Sequence, residues 1–281
     1  MKTVLFLVIC LFLPVLAGAG QLTLEPAVIA VGEVALLRWS DREAVAGEVE
    51  FNGRSFPLVM AGQGGQALLG TDLDTAAGSY PVRVRLDGSE AVVEGRLQVV
   101  SAQRAEERLT LPEGMVSPKD PAVLQRIARE QKLLKEIFAR QTAGPIPATF
   151  QLPVADPIGS PFGLRRILNG KPRSPHAGVD FRSPLGTPVK ASAAGRVVYA
   201  GDLYYTGLTV VVDHGGGLFS LYCHLDRITC AVDQLLGPAE VLGQVGSTGR
   251  STGPHLHWGV KLRGDRVDPL ALTSLLGGKK P

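Results

Sequence analysis

The chain has 281 residues, 45% of them hydrophobic and 20% charged, with a formal net charge of +3. That length exceeds one small core and fits two modest domains with linkers, while 34 glycines and 20 prolines favour turns and short strands over long helices. The small positive charge comes with no basic cluster dense enough for nucleic acid, which excludes that class of partner.

Met1-Lys2-Thr3 is a short positive start, followed by an apolar run from Val4 to Leu16 and then by Ala17-Gly18-Ala19, the small-x-small form of a signal-peptidase site. The run is shorter than the roughly 20 residues of a membrane-spanning helix. Residues 1–19 therefore read as a signal peptide. The expectation is an exported protein acting in the periplasm or cell envelope, with no membrane span in the mature chain. Cys10 leaves with the signal peptide, and Cys223 and Cys230 remain. Export permits a disulfide between them; each is equally well a small buried hydrophobe.

Residues 20–100 read as short strands. Val82-Arg83-Val84-Arg85-Leu86 alternates apolar and polar, and Asn52-Gly53 and Asp87-Gly88 supply residues that tolerate the positive φ of tight hairpin turns. This pattern predicts an immunoglobulin-like β-sandwich in a mostly-β chain. Residues 101–149 change character. Asp120-Pro121 is a helix start, and Val123, Leu124, Ile127, Leu134, Ile137 and Phe138 recur at helical spacing, predicting a linker helix over about 121–142 with one apolar face and a Glu136–Arg140 pair.

Residues 150–272 are β-rich again, with a tail at 273–281. All five histidines lie here: 176, 214, 224, 255 and 257. In a strand, side chains at i and i+2 share a face, so His255 and His257 in Gly253-Pro254-His255-Leu256-His257-Trp258 project together while Leu256 turns to the buried layer. Two imidazoles at the start of a strand, after a Gly/Ser/Thr-rich loop, suit metal binding or acid–base work. His176 and Asp180 add a nitrogen and an oxygen donor at short range, in a loop entering a strand. Leu221-Tyr222-Cys223-His224-Leu225 reads as a strand with His224 on the face of Tyr222. A catalytic zinc keeps three protein ligands and one open position. His176, Asp180 and one of the His255/His257 pair make such a set, and no H-E-x-x-H is present. His214, before Gly215-Gly216-Gly217, reads as a turn histidine with local hydrogen bonds.

Ser160-Pro161-Phe162-Gly163-Leu164-Arg165-Arg166, His176-x-x-x-Asp180, Tyr222-Cys223-His224-Leu225 and Gly253-Pro254-His255-Leu256-His257-Trp258 occur in the order and spacing of the lysostaphin/LytM-type zinc metallopeptidases, the M23 peptidase family. The resemblance covers roughly residues 150–270 and implies a C-terminal antiparallel β-sheet peptidase domain. It implies that His176, Asp180 and His257 hold one Zn2+ per chain and that His224 and His255 flank the reacting water and carbonyl. The activity it implies is that of a metalloendopeptidase hydrolysing peptide cross-links of peptidoglycan, either D-alanine–diamino acid bonds or glycine bridges. The other reading is a catalytically silent peptidoglycan-binding protein or amidase activator. Arg165, Arg166 and Arg173, just before His176, are candidates to meet a substrate carboxylate. The N-terminal domain is a candidate gate for the groove and a candidate surface for a regulatory partner.

Overall fold

The computed structural model describes residues 20–40, 46–62, 64–110, 113–140, 142 and 144–277, so the expected signal peptide lies outside the described residues. Among these, no helix is long and apolar enough to cross a membrane. The N-terminal strands are β1 (Gln21–Glu25), β2 (Val28–Ala30), β3 (Val34–Ser40), β4 (Gly47–Phe51), β5 (Arg54–Met60), β6 (Gly64–Gly70), β7 (Gly78–Leu86) and β8 (Val92–Val100). They pair in the order β1-β3-β6-β5-β4-β7-β8-β2. The β4–β5 hairpin closes on Asn52 and Gly53, both at positive φ, as the turn chemistry demands. Alternate residues Ala35, Leu37 and Trp39 of β3 and Ala67 and Leu69 of β6 meet Val49, Val82, Val84 and Leu97 in one core.

The first four residues of strand β3, Val34 to Leu37, are buried on both faces. Val34 and Leu36, with Leu68 of β6, point the other way into a second and larger core that belongs to the C-terminal half. The run Val34-Ala35-Leu36-Leu37 is continuously apolar for that reason: a strand covered on both sides has no polar face to show.

The connection carries β9 (Glu106–Leu109), α1 (Glu113–Val116) and α2 (Pro121–Phe138). Asp120 caps α2, its carboxylate accepting from the Ala122 N–H at 2.8 Å, and Pro121 occupies the first turn. The helix stops four residues short of the sequence estimate. Arg140 thus falls beyond its end, and Glu136 instead faces Lys132 at 4.0 Å. Ile137 and Phe138 pack on Val211 and Phe219 of the C-terminal sheet.

The C-terminal half holds β10 (Ile158–Ser160), β11 (Arg165–Leu168), β12 (Lys171–Pro172), β13 (Gly178–Phe181), β14 (Pro188–Lys190), β15 (Gly195–Leu203), β16 (Gly207–Asp213), β17 (Leu218–Ile228), β18 (Leu235–Leu236), β19 (Val241–Val245), β20 (Leu256–Leu262), β21 (Asp265–Val267) and α3 (Pro269–Leu275). Its main sheet runs β10-β13-β20-β17-β16-β15-β18. One face carries Tyr222, Phe181 and Trp258, the last stacked on Phe150 with ring centres 5.8 Å apart. The other face carries Phe219 and Leu221 under α2 and, further along the same strand, Cys223 opposite His257. A separate small sheet joins β12, β11 and β9, with β9 parallel to β11.

Candidate active site

The central strands bring the expected donors together. In the register of β13 with β20, Asp180 lies opposite His257, and cross-strand partners share a face. His176 sits in the loop two residues before β13. Asp180 Oδ1 is 2.9 Å from His176 Nε2 and 2.7 Å from His257 Nδ1, and those nitrogens are 3.0 Å apart. The three side chains form a group able to hold a metal, all their donor atoms lying within 4.8 Å of one another.

A surrounding layer aims these donors. His176 donates Nδ1–H to the Pro161 carbonyl at 2.9 Å, which turns Nε2 toward Asp180 and His257. Arg166 Nη2 binds the second carboxylate oxygen, Asp180 Oδ2, at 3.1 Å. Burial works to raise the Asp180 pKa, but hydrogen bonds from His176 and His257 and their charge outweigh it and hold the carboxyl far below its usual range. Burial pushes His257 down, toward the neutral ring a metal needs. At Gly178 any Cβ would come within 2.9 Å of His257 Nε2, so only glycine lets β13 pass this close to the imidazole.

His224 and His255 stand beside this set, their rings 4.7 Å apart and His224 6.1 Å from the His257 ring. Each donates Nδ1–H to a backbone carbonyl at 2.8 Å, His224 to Thr248 and His255 to Gly253. In both, Nε2 then carries the lone pair. Burial, then the neighbouring His257 and His255, push the His224 pKa down to about 3, so this ring is neutral near pH 7.

One expectation is corrected here. His224 does not share the face of Tyr222, which is buried in the core with its hydroxyl on Ser192 and Ser220. Between Tyr222 and Leu225 the pairing of β17 with β16 slips by one residue, and His224 takes a left-handed φ of 60°. That bulge turns the imidazole onto the His257 face. Cys223, opposite His257, is not in the donor set; burial pushes its thiol up to about 12, in reach of the Thr209 and Thr206 hydroxyls. Both Cys223 and Cys230 are free, with no disulfide between them.

Asp180, His224, His255 and His257 line a groove of ≈ 400 Å³ that also includes Ser160, Arg166, Arg182, Arg250 and Glu107. Of the three arginines singled out from sequence, Arg166 alone lines it. Arg165 is exposed elsewhere, and Arg173 Nη2 bonds Ser117 Oγ at 2.8 Å. Glu107 and Arg250 escaped sequence reading, although Arg250 lies in the loop before the H-x-H pair. Its guanidinium sits 4.4 Å over the Tyr205 ring. His214 lies at the turn between β16 and β17 as expected, but it is buried and reaches beyond the turn, to the Ala194 carbonyl at 2.8 Å and the Ser220 hydroxyl at 2.7 Å.

Fold and donor set together describe a metallopeptidase-type centre on an antiparallel sheet, and comparison with known proteins agrees. The sequence profile of peptidase family M23 matches residues 174–269. A family M23 crystal structure from Pseudomonas aeruginosa is 34% identical; the match covers 88% of this chain and 95% of that one, with a TM-score of 0.70. The chain belongs to peptidase family M23. Among curated relatives, the DD-carboxypeptidase/endopeptidase Mpg of Neisseria meningitidis serogroup B is 42% identical over 116 residues, 41% of this chain and 27% of the relative. The peptidoglycan DD-endopeptidase ShyA of Vibrio cholerae is 40% identical over 125 residues, 44% of this chain and 29% of the relative. This chain therefore spans less than a third of the length of these relatives.

Proposed function

We propose that the chain is an exported zinc metalloendopeptidase of the cell envelope that hydrolyses peptide cross-links of bacterial peptidoglycan. The observation that carries the reading is the convergence of two imidazoles and one carboxylate on a single point, with two further imidazoles beside it whose Nε2 atoms have no hydrogen-bond partner among the described residues. Two nitrogens and one oxygen suit zinc, and three protein donors leave a position open. The relatives named as DD-endopeptidases support the substrate class.

His176, Asp180 and His257 would hold the metal, with Pro161 and Arg166 fixing their orientation. When bound, zinc supplies Lewis acidity, polarising the scissile carbonyl and making water nucleophilic at neutral pH. His224, kept neutral by burial, takes the water's proton at Nε2. His255, less buried, stands beside it, where its ring, once it has taken up a proton at Nε2, would donate to the developing oxyanion or the leaving amine.

The test is the muropeptide profile of purified sacculi incubated with the mature protein, with and without a zinc chelator. Chelator-sensitive loss of cross-linked dimers is expected, and His257→Ala is expected to abolish both zinc retention and hydrolysis. Intact cross-links with zinc-loaded protein would overturn the reading. A variant that loses zinc yet still activates a partner amidase would favour the silent scaffold.

A further inference from the structure

The groove already contains a seated carboxylate that is not a candidate metal ligand. β9 runs parallel to β11 with Glu107 opposite Arg166. Glu107 Oε1 lies 3.1 Å from Ser160 Oγ, and Oε2 lies 3.1 Å from Arg166 Nε. Arg166 divides its fork, giving Nε to Glu107 and Nη2 to Asp180. A hydroxyl and a guanidinium edge, each donating to one oxygen, make a two-point cradle that fits the planar shape and charge of a carboxylate.

The cradle lies among the reacting groups, since Ser160, Arg166, Asp180, His224 and His257 line one groove. Arg182 and Arg250 line it too. Burial lowers the Arg250 pKa, and Arg166 and Arg173 add repulsion, so guanidinium groups crowd this end. Three guanidinium groups against the carboxylates of Glu107 and Asp180 leave the wall a positive excess, which favours anionic ligands.

We propose that Ser160 and Arg166 form a carboxylate-reading subsite, that Glu107 fills it from within the chain, and that its ligand in turnover is a free carboxylate borne by the substrate peptide next to the scissile bond. The inference rests on the peptidase reading and narrows it. A cross-link whose leaving amine belongs to a diamino diacid carries such a carboxylate on the carbon that bears the amine; a glycine bridge carries none. The subsite therefore selects the diamino diacid class, and Glu107 competes with substrate for the same donors.

Binding of an amine-side product peptide tests this without turnover. The probe is a peptide ending in the diamino diacid, prepared with that carboxyl free and, separately, as the carboxamide. Both are titrated into the full mature, zinc-loaded chain. The acid is expected to bind more tightly than the amide. Glu107→Gln should tighten the acid about tenfold and the amide less than about twofold, as expected for removing a competitor for charge-assisted donors. Ser160→Ala should lower the acid-to-amide preference, probing the cradle without touching β9. Equal binding of acid and amide, or a preference that E107Q leaves unchanged, overturns the proposal. Hydrolysis of the cross-linked dimer is followed in parallel. Discrimination without any cleavage would sink the peptidase reading and leave the subsite standing; cleavage without discrimination would do the reverse.

Discussion

Both ring nitrogens of His214 are committed, Nδ1–H to the Ala194 carbonyl and Nε2 to the Ser220 hydroxyl, with the ring edge against Phe150 at 5.4 Å between centres. Protonation would bury a charge there, with the second bond reversed so that Nε2–H donates to the Ser220 hydroxyl. Burial accordingly lowers the His214 pKa from 6.5 to about 4. As pH falls the unfolded chain takes up this proton first. The contribution to stability is therefore whole above pH 6.5 and is lost as pH falls toward 4, up to about 3 kcal/mol. His214→Gln, which keeps a donor for Ala194, should flatten the fall of Tm between pH 7 and 4.5 relative to the native protein; parallel curves would contradict the assignment. His255 and His257 announced themselves through period-2 spacing beside a glycine-rich loop. His214 carries no such signal, because its partners come from residues 194 and 220.

At the scale of elements, the stretch between β8 and β9 matters more than its irregular sequence suggests. Arg104 sends one arm to the Phe162 carbonyl at 3.1 Å and another to the Val31 carbonyl, with its guanidinium 5.2 Å over the Phe162 ring. Gly163, at φ 78°, leaves the space: a Cβ there would fall inside the guanidinium. The pinned loop supplies the Pro161 carbonyl that orients His176, and the Gly163 N–H donates to the His176 carbonyl at 2.8 Å. Arg104 is thus a positioning residue for a candidate ligand. Arg104→Ala should weaken zinc binding about 10–100-fold, the usual cost of losing an outer-shell support, as read by competition with a chelator. Arg104→Lys should recover part of it. A lowered Tm with unchanged zinc affinity would mark the residue as structural only. Local patterning showed α2 and the hairpins but not this link, nor the parallel pairing of β9 with β11; both join segments some sixty residues apart, and no periodicity encodes them.

Across the whole molecule, the N-terminal and C-terminal sheets share a core. Val34, Leu36 and Leu68 enter the cluster that contains Leu262, Val267 and Leu272. Ion pairs frame the seam, Arg54 with Asp265 at 2.8 Å and Arg266 with Asp72 and Asp74. Burial opposes ionisation of Asp72, yet Arg266 holds its carboxyl down at about 2. Sequence patterning separated two β-rich regions and an intervening helix. It did not show that they are fused, although the unbroken apolar run in β3 was the available sign. A chain starting at residue 146 would expose the C-terminal side of this seam. With roughly 1.5–3 kcal/mol at stake per buried Val or Leu, an upper estimate, that fragment should melt well below the full chain and associate on size-exclusion chromatography. Equal Tm and a clean monomer would show the seam to be dispensable. Release from gating can be read from such a fragment only if it stays folded.

The left-handed residue at His224 bears on how sequences of this kind are compared. The imidazole faces the groove because β17 reaches it one residue out of step with β16. Deleting a single residue between Tyr222 and Leu225 of a similar chain would restore the regular pleat and swing the neighbouring side chains across the sheet. Gap placement in that one stretch therefore separates a complete centre from one whose histidines are all spelled out but no longer meet.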